Sequence, residues 1–391
     1  MSIRPTRRPR FAACISAMLL GASLGGSLDA AEGTPAWSDS LARNRPWQAL
    51  AAMGDAPEDR QIKAQLSVFV GDEAPACALL PPRVPPADAG VEYRDAIEII
   101  TRAARDARVV MLNESHFRRA HRVFLGRLIE ALHPLGFDAL AAETFAAEAP
   151  ATLKDGVPDA ATGFYTADPA FASALQRAHA LGWAFVPYEV AGVSGRDARE
   201  AGQAKVLAAW LKAHPGRRLL VYAGDSHILE RPDEGWMAAR FAADTGIDPL
   251  TIAQGATACP DAADAWPVDT PSPVIGVRDE ASTVAKPVDF VVLHPPASIA
   301  AAEDARGPQV PLCVAPRAEA TLLRAFADGD DDLAIPQDQT IVPPHATSGR
   351  LRLAPGRYRI ARESAHRQDT LGEAIVPAGP LKGCLRIGPE T

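Results

Sequence analysis

The chain has 391 residues, with 40 Lys and Arg against 48 Asp and Glu and a formal net charge of −8. That length is enough for two domains with sizeable cores. The mildly acidic balance excludes nucleic acid as a partner, because phosphate binding needs a basic face.

The N-terminus reads as an address rather than as fold. Arg4, Arg7, Arg8 and Arg10 precede an uncharged run from Phe11 to Leu28, and Asp29-Ala30-Ala31-Glu32 supplies a small-residue cleavage region. This order predicts a secretory leader over residues 1–31, with a membrane anchor as the alternative. Cys14 comes too early in the run for a lipid-modified cysteine, and Arg7-Arg8 fits either twin-arginine or ordinary export. No later stretch is long and apolar enough to span a bilayer, so the expected location is periplasmic or secreted. Five cysteines become four once the leader is gone: Cys77, Cys259, Cys313 and Cys384. In an oxidising compartment an even count points to two disulfides. Cys313 and Cys384 share the C-terminal part, which leaves Cys77 for Cys259.

Residues 32–90 form a poorly patterned extension that ends in a stiff connector, Pro81-Pro82-Arg83-Val84-Pro85-Pro86. Helical spacing begins at Tyr93, with Ile97, Ile100 and Ala104 on one side. An alternation follows. Strands are predicted over 108–112, 137–142, 183–188, 218–223 and 249–253, and helices over 117–132, 169–181, 197–213 and 234–244. Strands and helices at this spacing mean βαβ units. The expected fold is α/β, a mostly parallel sheet with helices on both faces, over residues 91–264. From residue 265 proline increases and helical periodicity fades. Short strands at 288–293 and 351–353, with a turn at Ala354-Pro355-Gly356, predict a smaller β-rich module to residue 391.

In an open parallel sheet, ligands bind beyond the carboxyl ends of the strands. The first strand ends in Asn113-Glu114-Ser115-His116, the second in Glu143-Thr144, the third in Tyr188-Glu189 and the fourth in Gly224-Asp225-Ser226-His227. Four consecutive strands thus deliver carboxylates and two imidazoles to one edge. The first and fourth ends are alike, and Asn113 and Gly224 both tolerate a turn conformation that would aim the side chains after them.

The run Leu112 to His116, followed by a helix and Leu135-Gly136-Phe137 up to Glu143, resembles the erythromycin esterase/ChaN/Tiki (TraB-like) superfamily. Gly224-Asp225-Ser226-His227 resembles its later Gly-x-x-His motif. The likeness covers roughly residues 92–255, and Asn113 stands where the family usually has glycine. It implies an α/β fold and functional positions at Glu114, His116, Glu143 and His227. It also implies either hydrolysis, as in the metal-dependent protease and macrolide esterase branches, or haem binding.

The residue types agree with that range. His116, Glu143 and His227 suit a divalent transition metal, Mn, Co, Zn or Fe, whose bound water would be the nucleophile. Without a metal, one histidine would be general base with a carboxylate fixing its tautomer. The expected partner is a small-molecule or peptide substrate, with haem as the alternative ligand. Arg196 and Arg199, at the start of a helix on this edge, read as an anion or oxyanion clamp or as a solvated face, and Arg118 and Arg119 share those two readings. Glu189 reads as a further ligand or substrate contact, or as a helix cap. Ser115 and Ser226 lie in no nucleophile elbow and read as turn residues. Residues 146–168, with Phe164 and Tyr165, form a long connection at the active edge, either a lid or a surface loop.

Overall fold

In the computed structural model the described residues are 36–81, 91–257, 259, 270–277, 287–296 and 306–388. The expected leader lies outside them, as does the proline-rich connector from residue 82 onward. Residues 36–79, unpatterned in sequence, form four helices: α1 (Ala36–Ala42), α2 (Pro46–Ala52), α3 (Arg60–Phe69) and α4 (Ala74–Leu79). Three of them have two turns or fewer, too short for a periodicity to show, and α3 has ten residues. Their apolar side chains, Trp37, Leu41, Ala49, Leu66 and Phe69, are buried in the main core.

A short strand β1 (Glu92–Asp95) leads into α5 (Ala96–Ala103), where the sequence predicted one helix. The Asp95 side chain caps that helix by accepting from the Glu98 N–H. Strand β2 (Val109–Glu114) and helix α6 (Arg119–Leu132) follow, then β3 (Phe137–Ala142), a short α7 (Ala149–Thr152) and α8 (Pro169–Ala180). The series continues with β4 (Ala184–Pro187), α9 (Arg196–Ala213), β5 (Arg218–Gly224), α10 (Met237–Thr245) and β6 (Leu250–Thr257). Two further strands, β7 (Val274–Val277) and β8 (Phe290–His294), join the same sheet, so it extends past residue 264.

The eight strands lie in the order β1-β7-β8-β6-β2-β5-β3-β4. From β8 to β4 all neighbours are parallel, and only the β7 pairings are antiparallel. The fold is therefore α/β, as its alternation implied. Strand β2 is buried along its whole length, the mark of a central strand covered on both faces. Val110 and Leu112 face a core shared with Phe124 and Leu128 of α6 and Phe171 of α8. Val109 and Met111 face the other side, with Leu207 and Leu211 of α9 and Phe241 of α10. The period-two alternation of a strand thus feeds two separate apolar layers.

The C-terminal part is antiparallel. Strands β9 (Gln309–Cys313), β10 (Thr321–Ala327), β11 (Asp338–Val342), β12 (Ser348–Arg352), β13 (Gly356–Glu363) and β14 (Gln368–Val376) make two sheets, β11-β10-β13-β14 and β12-β9. The chain does bend between β12 and β13. However, the strands flanking that bend pair elsewhere, β12 with β9 and β13 with β10 and β14. Turn chemistry fixes a bend without fixing a partner. The module is tied to the N-terminal helices by Asn44, which takes a left-handed φ of 54° between α1 and α2. Its amide donates to the carbonyl of Ala334 (2.6 Å), and its side-chain oxygen accepts from fully buried Arg324 (2.6 Å).

Two disulfides pair as expected, Cys77 with Cys259 and Cys313 with Cys384, at sequence separations of 182 and 71. The first joins α4 to the chain just after β6 and closes the longer loop. Replacing Cys77 and Cys259 together by Ser is expected to lower stability by about 2–5 kcal/mol, because the unfolded chain regains loop entropy. Guanidinium denaturation of the oxidised protein measures it, and non-reducing peptide mapping checks the pairing.

Candidate functional site

Parallel neighbours share a rim, and β2, β5, β3 and β4 are consecutive in the sheet, so their carboxyl ends lie side by side. Glu114 closes β2 in register with Gly224 of β5, and the Glu143 N–H after β3 donates to the carbonyl of Tyr222. Glu114, His116, Glu143 and His227 are thereby brought together at one edge.

Glu114 is 3% exposed and bonded on both oxygens. One lies 2.8 Å from His116 Nδ1; the other accepts from Arg122 Nε (3.0 Å) and the Tyr222 hydroxyl (2.7 Å). Burial works to raise its pKa, but the Arg122 guanidinium and His116 outweigh burial and bring it down to about 2. This carboxylate is ionised throughout the working range. Arg122 is itself fully buried and reaches Asp168 with its other arm (2.8 Å).

The His116 ring is held from two more directions. The Tyr165 ring stacks on it, centroids 4.1 Å apart and 13° from parallel. Arg122 also donates to the His116 carbonyl (3.2 Å). The opposite edge of the ring faces Gly224. A methyl there would stand 3.0 Å from His116 Nε2 and 3.0 Å from Glu143 Oε2, so both atoms border the same small space. Gly224 is thus required by close approach, not by a left-handed turn, since its φ is not positive. Asn113 is not a turn residue either. It is an extended residue of β2 whose side chain donates to the carbonyl of Asp225 (3.0 Å) and accepts from Gln254 N–H (2.6 Å), lacing β5 and β6 to β2.

The connection at 146–168 is a packed wall. Phe145, Phe164 and Tyr165 are buried, and the Tyr165 N–H donates to Thr144 Oγ1 (2.8 Å). Gly163 lies so close to Thr144 that a methyl would come 2.0 Å from the Thr144 carbonyl oxygen.

The second half of the site is organised around Arg199. Its guanidinium bonds both oxygens of Glu189 and, at 2.5 Å, Glu143 Oε1. The other Glu143 oxygen accepts from the Gly224 N–H (2.6 Å). His227 presents Nδ1 to Glu200 (2.9 Å) and Nε2 to Glu143 (3.6 Å), with Arg199 Nη1 3.2 Å from Nε2. Glu143 and Glu189 thus flank one guanidinium while Glu200 holds His227, three carboxylates against one fixed cation, and a protonated His227 narrows that deficit. Burial alone would lower the His227 pKa; Glu143 and Glu200 outweigh it and raise it to about 10. Burial likewise opposes ionisation of Glu143, yet His227, His116 and Arg199 hold its pKa well below the usual range.

Several expectations change at this point. Among the described residues, no group of three or more His, Cys, Asp or Glu is placed to hold a metal ion. The expected set His116, Glu143 and His227 is not gathered as such a group: the Arg199 guanidinium sits beside both Glu143 Oε1 (2.5 Å) and His227 Nε2 (3.2 Å), where a cation would have to be. These residues do not fit Mn, Co, Zn or Fe. The strand-end tyrosines bond within this edge, Tyr222 to Glu114 and Tyr188, through its hydroxyl, to the carbonyl of Tyr222 (3.2 Å). Glu189 is neither ligand nor cap but the counter-ion of Arg199. Arg196 lies over the Trp236 ring at 4.9 Å and bonds its neighbour Asp197, apart from the other charges. Arg118 and Arg119 are not a solvated face. Arg118 bonds Cys77 Sγ and the carbonyl of Leu80, and Arg119 bonds Asp168. The two similar corners are built differently: His116 bonds the acid of its own corner, whereas Asp225 is exposed and His227 takes Glu200 from α9.

Sequence reading missed Arg122, Asp168, Glu200 and the stacking of Tyr165. For two of these a signal existed. Arg122 shares the buried stripe of Leu125, Ile129 and Leu132, and Glu200 that of Ala204, Leu207 and Leu211. A charge on an apolar helical stripe asks for a buried partner. His121, bland in sequence, accepts the Ser115 N–H on Nδ1 (2.9 Å) and steadies the motif loop.

No family model matches this chain, and no curated protein matches it. Solved structures do. That of the type III effector HopBA1 is 13% identical with a TM-score of 0.36, over 53% of this chain and 99% of that one. RRSP, a MARTX toxin effector domain from Vibrio vulnificus CMCP6, is 13% identical with a TM-score of 0.32, over 48% and 38%. ChaN of Campylobacter jejuni, described with cofacially bound haem, is 10% identical with a TM-score of 0.30, over 52% and 97%.

Two outcomes follow from the packing and charge. Gly163→Ala is expected to cost about 3 kcal/mol or more in a denaturation midpoint, because the added methyl meets backbone rather than a flexible side chain. For His227, the unfolded ring loses its proton near 6.5 while the folded ring keeps it to about 10. The folded state therefore binds more protons in that window. Its contribution is full below pH 6.5 and is lost as pH rises toward 10. His227→Gln should flatten the decline of unfolding free energy between pH 7 and pH 10 seen in the parent.

Proposed function

We propose that this chain is an exported hydrolase that cleaves an ester or amide bond, with His116 as the general base that activates water. The observation that carries the reading is the Glu114–His116 pair. An imidazole has Nδ1 fixed on a carboxylate that stays ionised and its face clamped by Tyr165, and its side chain is 22% exposed. Glu114 fixes the tautomer with the proton on Nδ1, which leaves the Nε2 lone pair for a water proton. The water oxygen then bonds to the substrate carbonyl carbon, and Glu114 stabilises the imidazolium that forms. The same Nε2–H is returned to the departing alcohol or amine as the carbonyl re-forms and the scissile bond breaks. No step passes through a metal.

The two disulfides fit an oxidising compartment, and no described helix is long and apolar enough to cross a membrane. A small-molecule or peptide substrate suits a rim of this kind.

A panel of ester and peptide substrates, assayed with and without a chelator, tests the reading. His116→Ala is expected to lower kcat by about 10²–10⁴-fold and Glu114→Gln by less, with the chelator leaving the parent rate unchanged. Full activity in His116→Ala, or a rate abolished by chelation and restored by a divalent ion, would contradict it.

A further inference from the structure

We propose that the C-terminal β module is a positioning element for His116, acting through an unbroken row of ion pairs that starts at Asp338. This rests on the reading of His116 as the general base. Asp338 opens β11 and faces Arg119 Nη2 at 3.6 Å. Arg119 Nε donates to Asp168 Oδ1 (3.0 Å), and Arg122 Nη1 to Asp168 Oδ2 (2.8 Å). Arg122 Nε then donates to Glu114 (3.0 Å), which holds His116 at 2.8 Å. Charge alternates at every step, and Arg122 and Asp168 are fully buried.

The row is anchored at its far end. Asp338 accepts from Arg306 Nη1 (2.5 Å) and the Arg352 N–H (2.7 Å), both inside the module. Buried Arg119 Nη2 makes no hydrogen bond, so the Asp338 carboxylate is the charge that compensates it. The next residue repeats the connection independently. The Gln339 amide donates to the carbonyl of Phe69 (2.8 Å) and reaches that of Ala167 (3.4 Å). Ala167 lies between Tyr165, which stacks on His116, and Asp168, which is in the row. The first two residues of β11 therefore act on both supports of the imidazole, its carboxylate and its stacking partner.

A row of buried charges is a costly way to join two modules, since apolar side chains would hold them with no desolvation penalty. What such a row supplies is direction. Each carboxylate takes donors from two sides, and each guanidinium is fixed in one plane. Asp338 is thus a positioning residue, two cations and two carboxylates removed from the ring it orients.

The full oxidised chain, with histidine ring nitrogens labelled, tests this by NMR at one fixed pH beside turnover on the best ester found. Asp338→Asn is expected to move the His116 ring signals and to lower kcat about 10-fold with KM nearly unchanged. Asp338→Glu should recover most of the loss. Arg119→Lys keeps the charge, and hence the fold, but cannot fork between Asp168 and Asp338, so it should move the signals in the same direction. Asp332→Asn breaks a different contact of the module, the pair with Arg45 at 3.1 Å, and should leave the signals in place. Unmoved His116 signals in folded Asp338→Asn and Arg119→Lys would overturn the proposal. So would an equal shift in Asp332→Asn, which would reduce the module to general docking. If no substrate turns over, the hydrolase reading fails while the NMR comparison still decides the row.

Discussion

The arrangement depends on one buried ion pair, Arg122 between Glu114 and Asp168. A parallel strand that ends in glutamate under a helical layer places a carboxylate where water cannot reach it, and an unpaired charge there would protonate or unfold the rim. Arg122 removes that choice. It keeps Glu114 ionised, and an ionised Glu114 is what gives the His116 ring a fixed tautomer and orientation. The other features at this edge follow from the same requirement. Asp168 balances the second arm of Arg122, Tyr222 takes the remaining lone pair of Glu114, and Tyr165 closes the ring face.

A second pair, Arg199 with Glu143 and Glu189, mirrors the first across Gly224. The two halves meet where glycine lets the backbone approach His116 Nε2 and Glu143 Oε2 together. The site thus has one partly exposed imidazole, His116, and one, His227, closed in between two glutamates. The same histidine-and-glutamate inventory could have made a metal centre. The guanidinium of Arg199 decides against it, because the charge a cation would bring beside Glu143 is already there.

The parts of this fold set by periodicity were readable in advance. The strands ending at Glu114, Ala142, Pro187 and Gly224 announce themselves as short apolar runs between amphipathic helices, and the rim follows from strand direction alone. The four N-terminal helices were not read, and three of them have two turns or fewer, which carry no period. Nor was the partner of β12, because pairing is settled by tertiary packing. At the site, residue types and spacing located Glu114, His116, Glu143 and His227 but not their roles. Those depend on Arg122 and Glu200, which arrive from helices, and on Asp168, which caps one; Arg122 is eight residues from Glu114, but Asp168 is 46 from Arg122 and Glu200 is 27 from His227. Their trace in the sequence is a charge on an otherwise apolar stripe, which can be noticed alone but paired only in three dimensions.

Neutron diffraction from crystals of the protein tests the central claim most directly. The account predicts a proton on His116 Nδ1 pointing at an ionised Glu114, and the Arg199 guanidinium seated between Glu143 and Glu189. An ion bound jointly by His116, Glu143 and His227, with Arg199 swung away, would contradict it.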